Sequence, residues 1–394
     1  MKNSVFLLRA AKLAYVGGMI ALAASGNVAG VLGVEDAKLW GVEQDAKRPV
    51  LAVKAVYDET FQRAFVTWFE QHWGLRGYAV KTDNTVVEAV FGENRRAENL
   101  VLGKNGVVLP TDDVHYVNRG DGPEPAVAAA QRIARVQRKL RAAGRTLIPI
   151  LVPAKTSMVR EAVPDRWRRA ASFARSDQNV YRAFIQTLER ENAKYVDGRA
   201  ILAASPEPGD TFARTARHWR ISGACAVFRA AVDVARTELP ELGTENVDCT
   251  TELVPNADIE DEDFDLFRLR NVWARKPEDV HVLRLAEQHA PPGSMLASLS
   301  TLFEGSSFTW KLVHIARDRG VMKPSTFYYY DASVVDTTTL WITKPVIPGT
   351  SEWREDTFGK RVSFVVILES MLPGDGERFF VELENAVDQG KTGL

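Results

Sequence analysis

Apolar and aromatic side chains recur every four residues from Phe61 through Phe65 and Phe69 to Trp73, which predicts an amphipathic helix beginning near Tyr57. Gly74 and Gly77 interrupt the pattern, and a second helix is expected to run to about Phe91. Between Glu98 and Leu109 two apolar runs flank Asn105-Gly106, the pattern of a hairpin closed by a two-residue turn. Pro123 to Ala143, rich in Ala, Arg and Gln and followed by Gly144, predicts a helix. Leu147 to Val152 is wholly apolar and ends at Pro153, as a strand buried on both faces of a parallel sheet would. Helices are expected again at Asn179–Asn192 and Ser222–Thr237, with a brief strand at Tyr195–Asp197 between them. Beyond an acidic stretch from Asn246 to Asp265, Gly293 to Phe303 reads as a strand running into Gly305, and Ser307 to Arg319 as a helix. Phe327–Tyr330 and Arg361–Leu368 read as later strands. Strands alternating with helices predict an α/β layered domain with a mainly parallel sheet. The acid-rich run from Asn246 to Asp279 reads as a surface excursion.

The amino terminus breaks this alternation. Lys2, Arg9 and Lys12 precede an apolar stretch from Leu13 to about Val34, and the next charge is Glu35. A basic start followed by an apolar stretch is the pattern of an export signal, and Ala23-Ala24-Ser25 offers a cleavage site. At roughly 20 residues the stretch also has the length of an uncleaved anchor. The expected organisation is therefore a signal peptide or anchor over residues 1–34 and one large domain over 50–394, placed outside the cytoplasm.

Composition adds mainly exclusions. Lys plus Arg number 50 against 51 Asp plus Glu, a net charge of −1, so no global basic field invites nucleic acid. The arginine runs at Arg132–Arg145 and Arg160–Arg175 read as solvated helix faces. Cys225 and Cys249 are the two cysteines; paired outside the cytoplasm they would close a loop of about 25 residues for about 3 kcal/mol, and two free thiols suit the sequence as well. No CxxC or HExxH pattern occurs and the six histidines are scattered, so neither a metal nor another cofactor is expected.

Two short motifs carry chemistry. In Gly305-Ser306-Ser307-Phe308 a serine stands where an apolar strand meets a helix. A tight turn there exposes the hydroxyl, and the following amides can hold an oxyanion; an ordinary helix cap has the same composition. In Arg217-His218-Trp219 a histidine lies in a polar loop that enters a helix, placed to take a proton from a serine or simply to lie on the surface.

Taken with the other motifs in order, the chain resembles the alginate O-acetyltransferases of the AlgJ and AlgX type, which have an SGNH-hydrolase-like fold. The likeness runs through the helix Phe61 to Arg76, Leu102-Gly103-Lys104-Asn105-Gly106, Val152-Pro153-Ala154-Lys155 and Tyr195-Val196-Asp197. It continues through His218-Trp219 with Ser222-Gly223-Ala224, Gly305 to Phe308, Tyr328-Tyr329-Tyr330 and Val365 to Glu369. It implies a three-layer α/β fold with the histidine block before the serine block, a circularly permuted motif order. It further implies Ser307 as nucleophile and His218 as base, with an acetyl-serine intermediate. The family's aspartate, two residues before the histidine, is replaced by Ala216. Asp210 and Asp331, and also Glu304, are the candidate replacements by proximity to the motifs. The Ser307 N–H is the first expected oxyanion donor, with a tyrosine among Tyr328, Tyr329 and Tyr330 as a second; Trp219, Trp310 and Trp341 are candidate sugar-stacking rings, with core packing expected for at least two of the three.

The resemblance also implies a polysaccharide acceptor, a membrane-bound O-acyltransferase that supplies acetyl groups, and other exopolysaccharide secretion proteins as partners. Alginate and bacterial cellulose are the two acceptors it offers. The even charge balance leans toward cellulose, since a polyanion rewards clustered cations. A polysaccharide acetylesterase and a degenerate polysaccharide-binding scaffold are the competing expectations.

Overall fold

The computed structural model describes residues 2–390 apart from 43, 95–98, 169–175, 206–210, 243–246, 256–261, 274–280, 286–298 and 320–322. Contacts within the chain separate two compact units, one of residues 1–98 with 267–276 and one of 99–266 with 277–394.

The first unit is helical: α1 (Lys2–Val31), α2 (Val53–Tyr57), α3 (Thr60–His72) and α4 (Arg76–Phe91). Within α1, Ala11–Val31 is long and apolar enough to cross a membrane. The aromatic spacing forms α3 as expected, with Phe61, Phe65 and Phe69 stacked at centroid distances of 5.9 and 6.1 Å. Its start lies later than Tyr57, because Glu59 takes a left-handed conformation (φ 62°) that separates α3 from α2. Residues 267–276 are held to this unit through Asn84, which donates to Arg270 O at 2.9 Å, and through Asn271, which donates to Trp40 O at 3.0 Å.

The second unit opens with strands β1 (Leu100–Leu102) and β2 (Val108–Pro110), paired antiparallel. Their connection is longer than two residues: a 3₁₀ turn spans Lys104–Gly106, and Gly103 N donates to Val107 O at 2.7 Å. Then follow α5 (Thr111–Tyr116), α6 (Glu124–Ala142), β3 (Thr146–Val152), α7 (Lys155–Met158), α8 (Ser176–Arg190), β4 (Val196–Asp197), α9 (Gly198–Ala203) and α10 (Ile221–Glu238). After α10 come β5 (Thr251–Pro255), α11 (Asp265–Leu269), β6 (His281–Leu285), β7 (Ser300–Gly305), α12 (Thr309–Asp318) and β8 (Lys323–Tyr329). The chain closes with β9 (Ser333–Asp336), β10 (Trp341–Pro345), α13 (Ser351–Phe358), β11 (Val362–Leu368) and α14 (Glu377–Asp388).

Seven of these strands form one sheet in the order β10-β9-β8-β7-β11-β3-β4. Strands β8 through β4 in that order are parallel, and β9 and β10 are antiparallel at one edge. The central strands bury both faces. In β3, Ile148, Ile150 and Val152 join a core with α10 and α12, whereas Leu147 and Leu151 join another with α6, α8 and α14. In β11, Phe364 and Val366 face the first core and Val365 and Ile367 the second. That alternation within apolar strands makes a three-layer α/β domain with a mainly parallel sheet. Because β3, β7, β8 and β11 run the same way, their carboxyl ends share one edge, where open α/β sheets place their ligands. Cys225 on α10 and Cys249 form a disulfide.

Candidate active site

Strand β7 delivers Gly305 to that edge with φ 147°, and an added Cβ would lie 2.7 Å from Thr309 Oγ1, Val366 Cβ and Val366 O. A glycine is therefore required where the strand turns toward α12. The turn is tied down by Tyr330 N, which donates to Gly305 O at 2.9 Å, and by Thr309 N, which donates to Ser306 O at 3.0 Å. Ser306 is buried, and Ser307 is the serine left partly accessible.

His218 sits on the loop between Thr211 and Arg220. The loop is closed at its base by a bridge between Phe212 and Trp219 and by Arg220 N donating to Thr211 O at 2.8 Å. From beneath, Lys155 holds it. This lysine is 1% exposed, and its Nζ lies 2.9, 2.8 and 2.6 Å from the carbonyls of Ala213, Arg214 and Ala216, and 2.8 Å from Val108 O. Burial pushes the Lys155 ammonium down to about 7, against the attraction of Asp265 and Asp113. Its own N–H donates to Asp113 Oδ2 at 2.9 Å, and burial pushes Asp113 up to about 6.

The structure brings the two motifs together. His218 Nε2 lies 2.8 Å from Ser307 Oγ, and the imidazole packs against Phe308 with ring centroids 4.8 Å apart. On the other side of the ring, Nδ1 lies 2.7 Å from Asp265 Oδ2. Burial raises the Asp265 carboxyl, yet its hydrogen bond with His218 and the N–H groups of Arg217 and Leu266 more than reverse this, so the group is held low and ionised. An ionised carboxylate at Nδ1 fixes the tautomer with its proton there and leaves Nε2 to accept from a hydroxyl.

Asp265 therefore stands where Asp210 and Asp331 were expected. Asp210 lies outside the described residues. Asp331 is buried, pairs with Arg378 at 3.4 Å and is pushed up to about 6 by burial; Glu304, also buried and raised well above the usual carboxylate range, feels Asp331 and Asp375. Nor does the acid-rich run lie wholly on the surface: Asp263 is 2% exposed. Ala216, at the family's aspartate position, is fully buried, and its carbonyl belongs to Lys155.

The aromatic candidates divide. Trp219 is 0% exposed and packs edge-on against Phe308, so it is core and not a sugar platform. Trp310 packs partly buried against Phe327 and Tyr329, and Trp341 is 75% exposed on β10. Tyr329 is packed at 5.7 Å from Trp310, and Tyr328 is buried. Tyr330 is 46% exposed, takes a positive φ (52°) and lies within electrostatic reach of Arg217, whose guanidinium pairs with Asp112. Among the described residues no group of three or more His, Cys, Asp or Glu side chains is placed to hold a metal ion.

The profile of the AlgX-type acetyltransferase, an SGNH hydrolase-like domain, matches residues 100–310, more than half of the chain. The chain belongs to that family. It is thus an SGNH-like O-acetyltransferase by descent, with the histidine block ahead of the serine block. Solved structures similar to it include the O-acetyltransferase domain of Pseudomonas putida AlgJ, at 16% identity over 73% of this chain and 99% of that one, with a TM-score of 0.46. Pseudomonas aeruginosa AlgX is similar at 13% identity over 75% and 68% of the two chains, with a TM-score of 0.47. Bacillus cereus PatB1, solved with a sulfonyl adduct, is similar at 10% identity over 71% and 96%, also with a TM-score of 0.47. No curated protein matches the chain by sequence at a significant level.

Proposed function

We propose that this acetyltransferase moves acetyl groups onto hydroxyls of a secreted polysaccharide in the periplasm, by way of an acetyl-Ser307 intermediate. The observation that carries the reading is the unbroken line from Ser307 Oγ to His218 Nε2 (2.8 Å) and from His218 Nδ1 to Asp265 Oδ2 (2.7 Å). Ser307 Oγ attacks the acetyl carbonyl of the donor while its proton passes to His218 Nε2. The tetrahedral oxyanion is met by the Ser307 N–H, with the Tyr330 hydroxyl as second donor. Collapse expels the donor's alcohol, which takes the proton from Nε2 and leaves acetyl-Ser307. A sugar hydroxyl then attacks, gives its proton to Nε2 and leaves as the acetyl ester, and the proton returns to Ser307. Asp265 holds the imidazole in the required tautomer and balances its charge at both stages.

The arginine-rich face of α6 is already engaged by acids of the same unit, which favours a neutral acceptor such as cellulose over a polyanion such as alginate. The apolar α1 supports export or anchoring, and a membrane-bound O-acyltransferase is the proposed source of acetyl groups. The test uses the full chain with 4-nitrophenyl acetate and either cello-oligomers or mannuronate oligomers. Expected is acetylation of cello-oligomers, with acetyl-Ser307 trapped and detected by mass spectrometry and absent from Ser307→Ala. Hydrolysis that added oligosaccharide leaves unchanged would make the protein an esterase. Transfer to neither oligomer, with no acetyl-enzyme, would sink the reading.

A further inference from the structure

We infer that Lys311, acting through Asp263, is the positioning residue that keeps Asp265 against His218; the inference rests on the acyl-transfer reading above. Where the acid stands two residues from the histidine, the backbone itself sets their separation. Here His218 and Asp265 stand 47 positions apart in the chain, so contacts outside the covalent chain must set it.

One of them is direct, from Arg217 N to Asp265 Oδ1 at 2.8 Å; the others converge on one ammonium. Lys311 lies on α12, four residues after Ser307, and its side chain is 11% exposed. Its Nζ donates to Asp263 Oδ1 at 3.1 Å and to Trp219 O at 2.7 Å. Asp263 is two residues before the acid, and Trp219 directly follows the base. The same ammonium thus touches the segment that carries Asp265 and the loop that carries His218, from the helix that follows Ser307. Asp263 is fastened to the histidine loop a second time, through its carbonyl, which accepts from Thr215 Oγ1 at 3.4 Å. Arg220 Nε approaches its carboxylate at 3.8 Å. Asp263 and Asp265 therefore divide the work between them: one carboxylate meets the clamp, and the other meets the imidazole.

The clamp fixes the segment that carries Asp265 beside the direct bond from Arg217 N, and a displacement of about 1 Å at such a site costs on the order of 10²-fold in rate. The test uses the full chain in detergent, with acetyl transfer from 4-nitrophenyl acetate and the far-downfield proton resonance of the His218 Nδ1–H bonded to Asp265. Lys311→Met is expected to lower kcat about 10²-fold with KM nearly unchanged and to abolish that resonance, while Lys311→Arg restores much of both. Asp263→Asn, nearly the same shape without the charge, is expected to fall between them and decides the matter if Lys311→Met fails to fold. A folded Lys311→Met or Asp263→Asn with wild-type kcat overturns the inference. So does a variant that loses rate while keeping the resonance. Wild-type protein that forms no acetyl-Ser307 instead overturns the acyl-transfer reading, and does so independently of either variant.

Discussion

Five cations along α6 and two buried lysines near His218 use positive charge in opposite ways. Arg132, Arg135, Arg138, Lys139 and Arg141 stand 26–50% exposed and pair with Glu377, Glu384, Glu191, Asp388 and Glu238. Each exposed pair gains little, because water screens it and two long side chains must be held still. Lys155 and Lys311 are 1% and 9% exposed, and each is tied to several chain segments at once. Charge taken out of water is expensive, so each buried ammonium is kept only where it is fully hydrogen-bonded, and removing it strands its partners. The α6 face holds helices together by numbers; the sheet edge holds a reactive geometry with two residues.

The largest break in this contrast should come from Asp265→Asn. Loss of the carboxylate at His218 Nδ1 is expected to lower turnover by about 10⁴, as it does for a serine protease triad, with the fold intact by circular dichroism. A variant within tenfold of wild type would mean that the acid is dispensable. Next comes Lys155→Met, which leaves four carbonyls without their shared donor. A loss of about 3 kcal/mol or more is expected, read as a lower urea midpoint at unchanged slope. A smaller effect follows from pH. Asp113, Asp331 and Asp375 are each pushed up to about 6 by burial, so the folded state binds more protons than the unfolded one between about 4 and 6. The stability they withhold at neutral pH returns as pH falls through 6, and the urea midpoint should rise between pH 7 and 5; a flat or falling midpoint would show these carboxyls to be ionised at no cost. The smallest effect belongs to α6. A double-mutant cycle on Arg135 and Glu384, 2.7 Å apart, should give a coupling below about 1 kcal/mol, and a much larger value would erase the contrast.

The same division decides what could be read from residues alone. The strands β3 and β11 were legible because burial on both faces demands an unbroken apolar run, and α6 because its spacing and Gly144 mark its course and its end. Ser307 and His218 were legible from their places at a strand end and a loop, and from the order of the other motifs. The arginines of α6, expected on a solvated helix face, pair there with acids of the same unit. Asp265 stayed hidden, since no spacing rule links residues 47 apart and an acidic run reads as solvated by default. Its burial arises only when the segment docks against the histidine loop. Trp219 took the other of its two readings: a tryptophan beside a reactive histidine can be a sugar platform or core, and its indole packs buried against Phe308.

Ala216 has a practical consequence for reading other genomes' chains. A search pattern that demands a carboxylate two residues before the histidine would discard this protein as a pseudoenzyme. Yet Ala216 is fully buried here, and the carboxylate that meets His218 is that of Asp265. Chains with a small residue at that place are better sorted by whether an acidic segment follows the next helix, because the missing group can arrive from there.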